Sequence, residues 1–148
     1  MTTDRTLTID RLIRATPARV WAAWTDPEQL PRWFGPEGHT CHTREIDLRE
    51  GGLWRFDMFG PGGQIWANRH RFTRYEPERR IEFILDSDDD ASPQMTVVVT
   101  LTPEAGGTRL VQTVTFPDAA MRAAAEGYGA VRLGQTTLAK LAALVEAG

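Results

Sequence analysis

The stretch that decides the fold is residues 118–147, DAAMRAAAEGYGAVRLGQTTLAKLAALVEA, the longest part of the chain with helical periodicity. A set of positions recurs three and four residues apart, which places them on one face of a helix. These positions are Tyr128, Val131, Gln135, Leu138, Leu141, Ala142 and Val145. A helix with a single apolar stripe needs a surface to cover that stripe. We therefore expect the rest of the chain to form a sheet curved around this helix.

Three glycines, Gly127, Gly129 and Gly134, interrupt the helical pattern. Each costs about 1 kcal/mol relative to alanine in a helix interior. These glycines predict that the first part of the stretch, residues 118–126, is a separate turn of helix.

The chain before this stretch predicts short strands and two small helices. Alternating apolar residues indicate a strand over residues 5–14, and Thr16-Pro17 is a typical start for a helix that ends near Thr25. Asp26-Pro27 predicts a second, brief helix that ends before Gly35-Pro36. Further strands are expected at residues 40–48, 53–59, 64–75, 80–85, 94–102 and 108–116, joined by turns rich in glycine and proline.

Strands in consecutive hairpins indicate an antiparallel sheet, and helices gathered on one face of it indicate an α+β fold. We expect about six to seven strands, two short helices after the first strand and the long C-terminal helix. The chain has 148 residues, a length typical of one domain, so residues 1–148 are predicted to form a single domain.

The composition argues against several classes of partner. The formal net charge of -3 disfavours a nucleic acid or an anionic membrane bound by charge alone. Cys41 is the only cysteine, so no intrachain disulfide can form and a cytoplasmic location is expected. No signal peptide and no membrane-spanning run is evident in the sequence.

Seven motifs in this order resemble one known family. They are PARVWAAWTDP at 17–27, WFGP at 33–36, DLREGGLWRF at 47–56, GPGG at 60–63, YEPERRI at 75–81, GTRL at 107–110 and QTTLAKL at 135–141. The chain resembles the START-like (SRPBCC) superfamily of helix-grip folds. Within it, the chain is similar to homologues of the activator of heat-shock-protein-90 ATPase.

This resemblance implies a helix-grip fold and two kinds of function. Members of the superfamily hold small apolar molecules between the sheet and the long helix, whereas relatives of the co-chaperone type contact a chaperone. One position departs from the family pattern. Gly134 stands where members often carry tryptophan, which predicts space near the middle of the helix, to be filled by Tyr128, Met121 or a ligand.

The sequence gives little support for a metal or a catalytic nucleophile. His39 and Cys41 share one face of a strand and His42 points away, so the three cannot converge on a metal locally. We predict no metal, no cofactor and no catalytic residue. The acidic run at 86–90 has neither the glycine nor the glutamate that a calcium loop requires, so we expect a solvated loop.

His70 is the polar residue of most interest. By strand parity it shares a face with Trp66 and Phe72, and across the hairpin with Trp54 and Phe56. It either orients a ligand or acts as an acid or base within an aromatic wall, or it lies on the outer surface or rim, hydrogen-bonded to a neighbour. A lone histidine without a positioned partner is weak evidence for a site, so we favour the second interpretation.

The predicted site is a cavity between the sheet and the C-terminal helix that binds a small, largely apolar molecule. Its expected lining is Trp54, Phe56, Trp66, His70, Phe72, Tyr128, Val131, Gln135 and Leu138. The same aromatic side chains could equally fill a solid core. Two alternatives stay open: an enzyme of the cyclase or dehydratase type that uses this cavity, and a chaperone-binding protein without a ligand. The protein is expected to be a monomer or a homodimer.

Overall fold

The computed structural model describes residues 4–147, in which seven strands form one antiparallel sheet. The strands are β1 (Thr6–Ile13), β2 (Thr40–Asp47), β3 (Leu53–Phe59), β4 (Ile65–Glu76), β5 (Arg80–Asp86), β6 (Met95–Glu104) and β7 (Gly107–Thr115). Their order across the sheet is β1-β7-β6-β5-β4-β3-β2. The two edge strands, β1 and β2, are thus consecutive in sequence but lie at opposite edges.

Four helices complete the described fold: α1 (Pro17–Thr25), α2 (Leu30–Trp33), α3 (Ala119–Gly127) and α4 (Ala130–Glu146). The first two lie between β1 and β2 in sequence. The last helix contacts β1, α1 and α2, and buries Leu138, Leu141, Ala142 and Val145. The predicted α+β helix-grip fold is confirmed.

Local sequence signals explain the ends of the helices. The hydroxyl of Thr16 accepts a hydrogen bond from Arg19 N at 3.2 Å, which caps α1 as expected. Asp26, by contrast, caps a turn rather than a helix, because its carboxylate accepts from Glu28 N and from the Gln29 side chain. The second helix consequently begins at Leu30, three residues later than Pro27, which was the predicted first position.

The C-terminal stretch divides into two helices at Tyr128–Gly129. Gly129 has a φ of 93°, a left-handed conformation that glycine adopts without the steric cost of a Cβ. Residues 118–126 are therefore separate from the long C-terminal helix, as predicted. The prediction of a single apolar stripe was wrong in one respect, because Tyr128 lies between the two helices rather than on the face of α4.

The sheet is curved, and its inner face is packed with large side chains. Register shifts interrupt β2 at Thr43/Glu45 and β4 at Phe72/Arg74, and such bulges bend a strand and increase its twist. Trp24 and Trp33, from the two short helices, are 1% exposed and their rings are 4.7 Å apart. These tryptophans pack the short helices against the core.

Candidate functional site

A groove of about 670 Å³ opens at one end of the sheet, where the β3–β4 hairpin approaches the junction of α3 and α4. We call it the end groove. Its lining is His39, Met58, Ile65, Trp66, Ala67, Asn68, Ser87, Tyr128 and Leu133. None of these lining residues, all within the described part of the chain, is Asp, Glu, Lys or Arg.

Large apolar side chains stand in solvent around this groove. Ile65 is 62% exposed, Trp66 46% and Tyr128 68%. The ring of His39 stacks on that of Trp66, with the centroids 5.7 Å apart and the planes 23° from parallel. Large hydrophobic side chains exposed around a concavity, rather than singly on a convex surface, are typical of a binding site.

The break between α3 and α4 places Tyr128 at the groove. Tyr128 is the C-cap of α3, and its N–H donates to Ala124 O at 3.1 Å. The left-handed Gly129 follows, and Leu133 N donates to Gly129 O at 2.9 Å in the first turn of α4. The glycine thus allows one side chain of the C-terminal stretch to point away from the helix stripe and towards the hairpin.

The segment after β5 brings Ser87 to the groove, and arginines on the outer face of the sheet hold that segment. Asp86, 2% exposed, accepts from Arg69 Nε at 3.0 Å and from Arg69 Nη2 at 2.7 Å. Asp88 accepts from Arg55 Nε at 2.9 Å. The expectation of a solvated acidic loop therefore holds only in part: Ser87, Asp89 and Asp90 are exposed, whereas arginines from two neighbouring strands pair with Asp86 and Asp88. Two of its members are well covered, whereas the side chain of Asp90 is 90% exposed although it too pairs with Arg69.

The only lysine in the chain holds the segment that carries His39. Lys140 Nζ, on α4, donates to Gly35 O at 3.1 Å and to His39 O at 3.2 Å. Burial lowers the pKa of this ammonium group, which indicates that it is partly withdrawn from water. The contact ties the chain before β2 to the long helix.

His70 lies on the inner face of β4, deeper than the groove, and is 1% exposed. Its ring stacks on Phe83 with a centroid distance of 4.4 Å and meets Phe34 edge-on at 4.9 Å. Burial lowers the pKa of His70 to about 3, so the ring is neutral at pH 7. The favoured expectation, a rim or outer histidine bonded to a neighbour, was wrong, because strand parity turns this side chain inwards. Its Nε2 has no hydrogen-bond partner among the described residues.

The structure separates the predicted lining residues into three groups. Trp66 and Tyr128 line the end groove. The others that lie deepest are part of the closely packed core: Trp54, Phe56, His70, Phe72 and Leu138. Val131 borders a second, smaller hollow, and Gln135 Nε2 donates to Asp10 O of β1 at 3.4 Å.

Several residues of the groove were missed by the predicted lining. Met58 and Asn68 share the inner face with Trp66, and strand parity could have identified them. His39, Ser87 and Leu133 come from a loop, a strand end and a helix start, and no periodic signal marks them. Only the tertiary structure brings these three residues together in one groove.

The space expected at Gly134 is filled by Ile9 of β1. A Cβ built at Gly134 would lie 2.8 Å from Ile9 Cδ1, so the glycine lets α4 approach β1 closely. A hollow of about 70 Å³ remains beside these two residues. Neither Tyr128 nor Met121 borders it.

Cys41 and the histidines near it do not form a metal centre. Within the described residues, no group of three or more His, Cys, Asp or Glu is placed to hold a metal ion. The thiol of Cys41 donates to Phe34 O at 3.2 Å, and burial raises the pKa of the thiol to about 12. The thiolate that nucleophilic catalysis needs is therefore strongly disfavoured.

None of the helices within residues 4–147 has the length and apolar character needed to span a bilayer.

Comparisons with known proteins agree on one family. The sequence model described as "Activator of Hsp90 ATPase homolog 1-like protein" matches residues 14–146. A crystal structure from Chromobacterium violaceum shares 31% identity, with 95% of this chain and 97% of that chain covered and a TM-score of 0.82. One from Nitrosomonas europaea shares 27% identity, with 99% and 97% covered and a TM-score of 0.85. A solution structure of an AHSA1-like protein from Aeromonas hydrophila shares 27% identity, with 96% and 92% covered and a TM-score of 0.73. No curated protein matches the chain.

Proposed function

Since the chain belongs to the family of Activator of Hsp90 ATPase homolog 1-like proteins, whose fold is that of a general ligand-binding domain, we propose that it binds a small, uncharged, largely apolar molecule in the end groove. One observation carries the proposal. A groove of about 670 Å³ whose lining contains no Asp, Glu, Lys or Arg has three large apolar side chains exposed around it. Its size is within the range of about 300–1,000 Å³ that is typical of small-molecule sites.

The lining determines the character of the ligand. Trp66 and Tyr128 offer aromatic faces, and Met58 offers a flexible, polarisable side chain that adapts to irregular shapes. Covering these side chains contributes about 25 cal/mol per Å² of apolar surface before ordering costs are subtracted. A charged ligand would lose its hydration without meeting an opposite charge. We therefore expect a flat, neutral molecule.

The enzymatic alternative requires an acid–base pair in the cavity. The ring contacts of His70 are all with aromatic side chains, namely Phe34, Trp54, Phe56, Phe72 and Phe83. A histidine whose burial disfavours protonation, and which has no carboxylate beside it, is poorly suited to proton transfer. Binding without chemistry is thus the better supported function.

The test is a fluorescence titration with the neutral probe N-phenyl-1-naphthylamine. Its emission is expected to rise on binding to the wild-type protein, and Trp66→Ala and Tyr128→Ala are each expected to weaken binding at least fivefold. The matched control is Trp21→Phe, because Trp21 packs on Tyr75 at a centroid distance of 5.5 Å and does not line the groove. 1-Naphthoate and 1-naphthylmethylammonium should bind more weakly than neutral compounds of the same size.

Absence of binding by the wild-type protein, or equal binding by the Trp66→Ala and Trp21→Phe variants, would count decisively against the end groove. Native mass spectrometry of the purified protein gives an independent result, since a tightly held natural ligand would remain as added mass. If neither experiment detects a ligand, the chaperone-binding alternative becomes the one to test.

A further inference from the structure

His70 has a buried nitrogen that nothing in the described protein satisfies. Nε2 has no hydrogen-bond partner, and the side chain is 1% exposed. A phenylalanine in its place would fill a similar volume without burying an unpaired polar atom. Such orphaned groups are rare in native structures, because their desolvation is not repaid by a hydrogen bond. The unpaired Nε2 is therefore a candidate to bond to a molecule other than this chain.

The strand register connects His70 to the end groove. Trp66, Asn68 and His70 follow one another on the inner face of β4, opposite Met58, Phe56 and Trp54 of β3. Of these residues, Trp66, Asn68 and Met58 line the groove. Alternate residues of a strand are about 7 Å apart, so His70 lies one row of side chains beyond the inner end of the groove.

Among the rings around His70, Phe34 is the one that does not come from a strand and is not fully buried. Trp54, Phe56, Phe72 and Phe83 come from strands within the sheet and are at most 2% exposed. Phe34 instead follows the four-residue helix α2, is only half-buried, and precedes Gly35 with its φ of 97°. Its carbonyl accepts from Cys41 Sγ, which holds the backbone, so a change of rotamer would move only the side chain. The ring would then give up its contacts with Trp54 and Phe56, at centroid distances of 5.5 and 5.9 Å.

We propose that His70 is the polar anchor of the ligand site, and that the ligand is a neutral aromatic molecule with a hydroxyl group at its inner end that bonds to Nε2 when the ring of Phe34 turns away. This inference rests on the function proposed above. A hydroxyl group suits the site because it both donates and accepts, and so pairs with Nε2 in either tautomer of the neutral ring. The low pKa of His70, about 3, keeps that ring uncharged at pH 7, in agreement with the uncharged groove.

The test compares 2-naphthol with naphthalene, two probes that differ by one hydroxyl group, in calorimetric titrations at pH 7. The wild-type protein is expected to bind 2-naphthol about tenfold more tightly than naphthalene, which is the change in affinity that one additional hydrogen bond can give. His70→Phe should bind both probes with nearly equal affinity, at the level of naphthalene on the wild type. Phe34→Ala should bind both more tightly, because it removes the ring that covers His70.

A second measurement on the wild-type protein does not depend on any variant. The ¹⁵N signal of His70 Nε2 is expected to shift when 2-naphthol is added, whereas naphthalene should shift it much less. The nitrogens of His42 serve as the internal control, because that ring stacks on Phe59 and does not line the groove.

The outcomes separate the two proposals. If the wild-type protein binds neither probe, both proposals fail. If it binds both probes equally, or if the preference for 2-naphthol survives in His70→Phe, then the proposal that His70 bonds to the ligand's hydroxyl group is overturned. Loss of naphthalene binding in Trp66→Ala would in that case still support the end groove.

Discussion

Arg69 and Asp86 form a buried, two-point ion pair on the outer face of the sheet. Arg69 Nε and Nη2 donate to the two oxygens of Asp86 at 3.0 and 2.7 Å, and the side chain of Asp86 is fully buried. The next residue, Ser87, lines the end groove. This ion pair therefore supports one wall of the groove from the opposite side of the sheet.

Replacing Arg69 should destabilise the fold strongly. In Arg69→Met the stem of the side chain remains, but the buried carboxylate of Asp86 keeps only one arginine, Arg71, whose Nη2 lies at 3.3 Å, and the backbone N–H of Asp88 at 3.0 Å. Breaking a buried ion pair typically costs about 3–5 kcal/mol. Because Asp86 keeps another arginine, we expect the free energy of unfolding to fall by about 3 kcal/mol. Urea unfolding at pH 7 measures it.

The control for Arg69 is Arg109→Met. Arg109 pairs with Glu104 at 2.8 Å and Asp10 at 3.0 Å, but these carboxylates are well exposed. Exposed pairs contribute about 0–1 kcal/mol. Equal losses in the two variants would show that the burial of Asp86 has no energetic consequence.

His70 should make the stability of the protein depend on pH between about 6.5 and 3. Its unfolded pKa is near the ordinary value of 6.5, and burial lowers the folded pKa to about 3. In this window the unfolded chain binds a proton that the folded protein does not, so stability is complete above pH 6.5 and falls as the pH falls. The slope from this one group is about 1.4 kcal/mol per pH unit.

Urea unfolding at pH 7.5, 6 and 5 can isolate this contribution. The wild-type protein should lose about 2 kcal/mol more than His70→Phe between pH 7.5 and pH 5. The other two histidines, His39 and His42, are present in both proteins, so any contribution from them cancels in the difference. Parallel pH profiles would mean that His70 protonates normally in the folded state.

Gly134→Ala should raise stability modestly. Alanine is favoured over glycine by about 1 kcal/mol in a helix interior. Its Cβ would come within 2.8 Å of Ile9 Cδ1, a terminal methyl group beside a hollow of about 70 Å³ into which it can turn. We expect a net gain of about 0.5 kcal/mol in the free energy of unfolding.

Two companion variants test the role of Ile9. A Cβ at Gly127 would meet nothing within 4 Å. Gly127→Ala therefore measures the effect of helix propensity on the free energy of unfolding, without a new side-chain contact. Combining Gly134→Ala with Ile9→Val should remove the contact of the Cδ1 methyl. A loss of stability in Gly134→Ala that the second substitution does not reduce would place the strain somewhere other than Ile9.

Much of the fold could be predicted because its signals are local. Alternation over residues 53–59 and 64–75 located β3 and β4 within about a residue, and parity assigned Trp54, Phe56 and His70 to one face. The glycines of the C-terminal stretch also predicted that its first part is a separate turn of helix. The start of α2 was misplaced because a capping pattern at Asp26 is compatible with a turn as well as with a helix.

The candidate site was predicted less well, since it depends on which distant residues meet. An aromatic stripe on the inner face is compatible with a cavity or with a filled core, and packing of Phe34 against Trp54 and Phe56 fills the deeper part. The open part lies at the sheet's end, where only Trp66 and Tyr128 of the predicted lining are found.

What the sequence by itself determined is the set of strands and helices, the faces of those elements and the family to which the chain belongs. These follow from periodicities of two and 3.6 residues and from turn residues, which act over a few positions. Tertiary structure alone decided the burial of His70 without a partner, the neutralisation of Asp86 by Arg69, and the meeting of His39, Ser87 and Leu133 around one groove. The physical reason is that burial and charge pairing depend on groups far apart in the chain, whose distances no local pattern encodes.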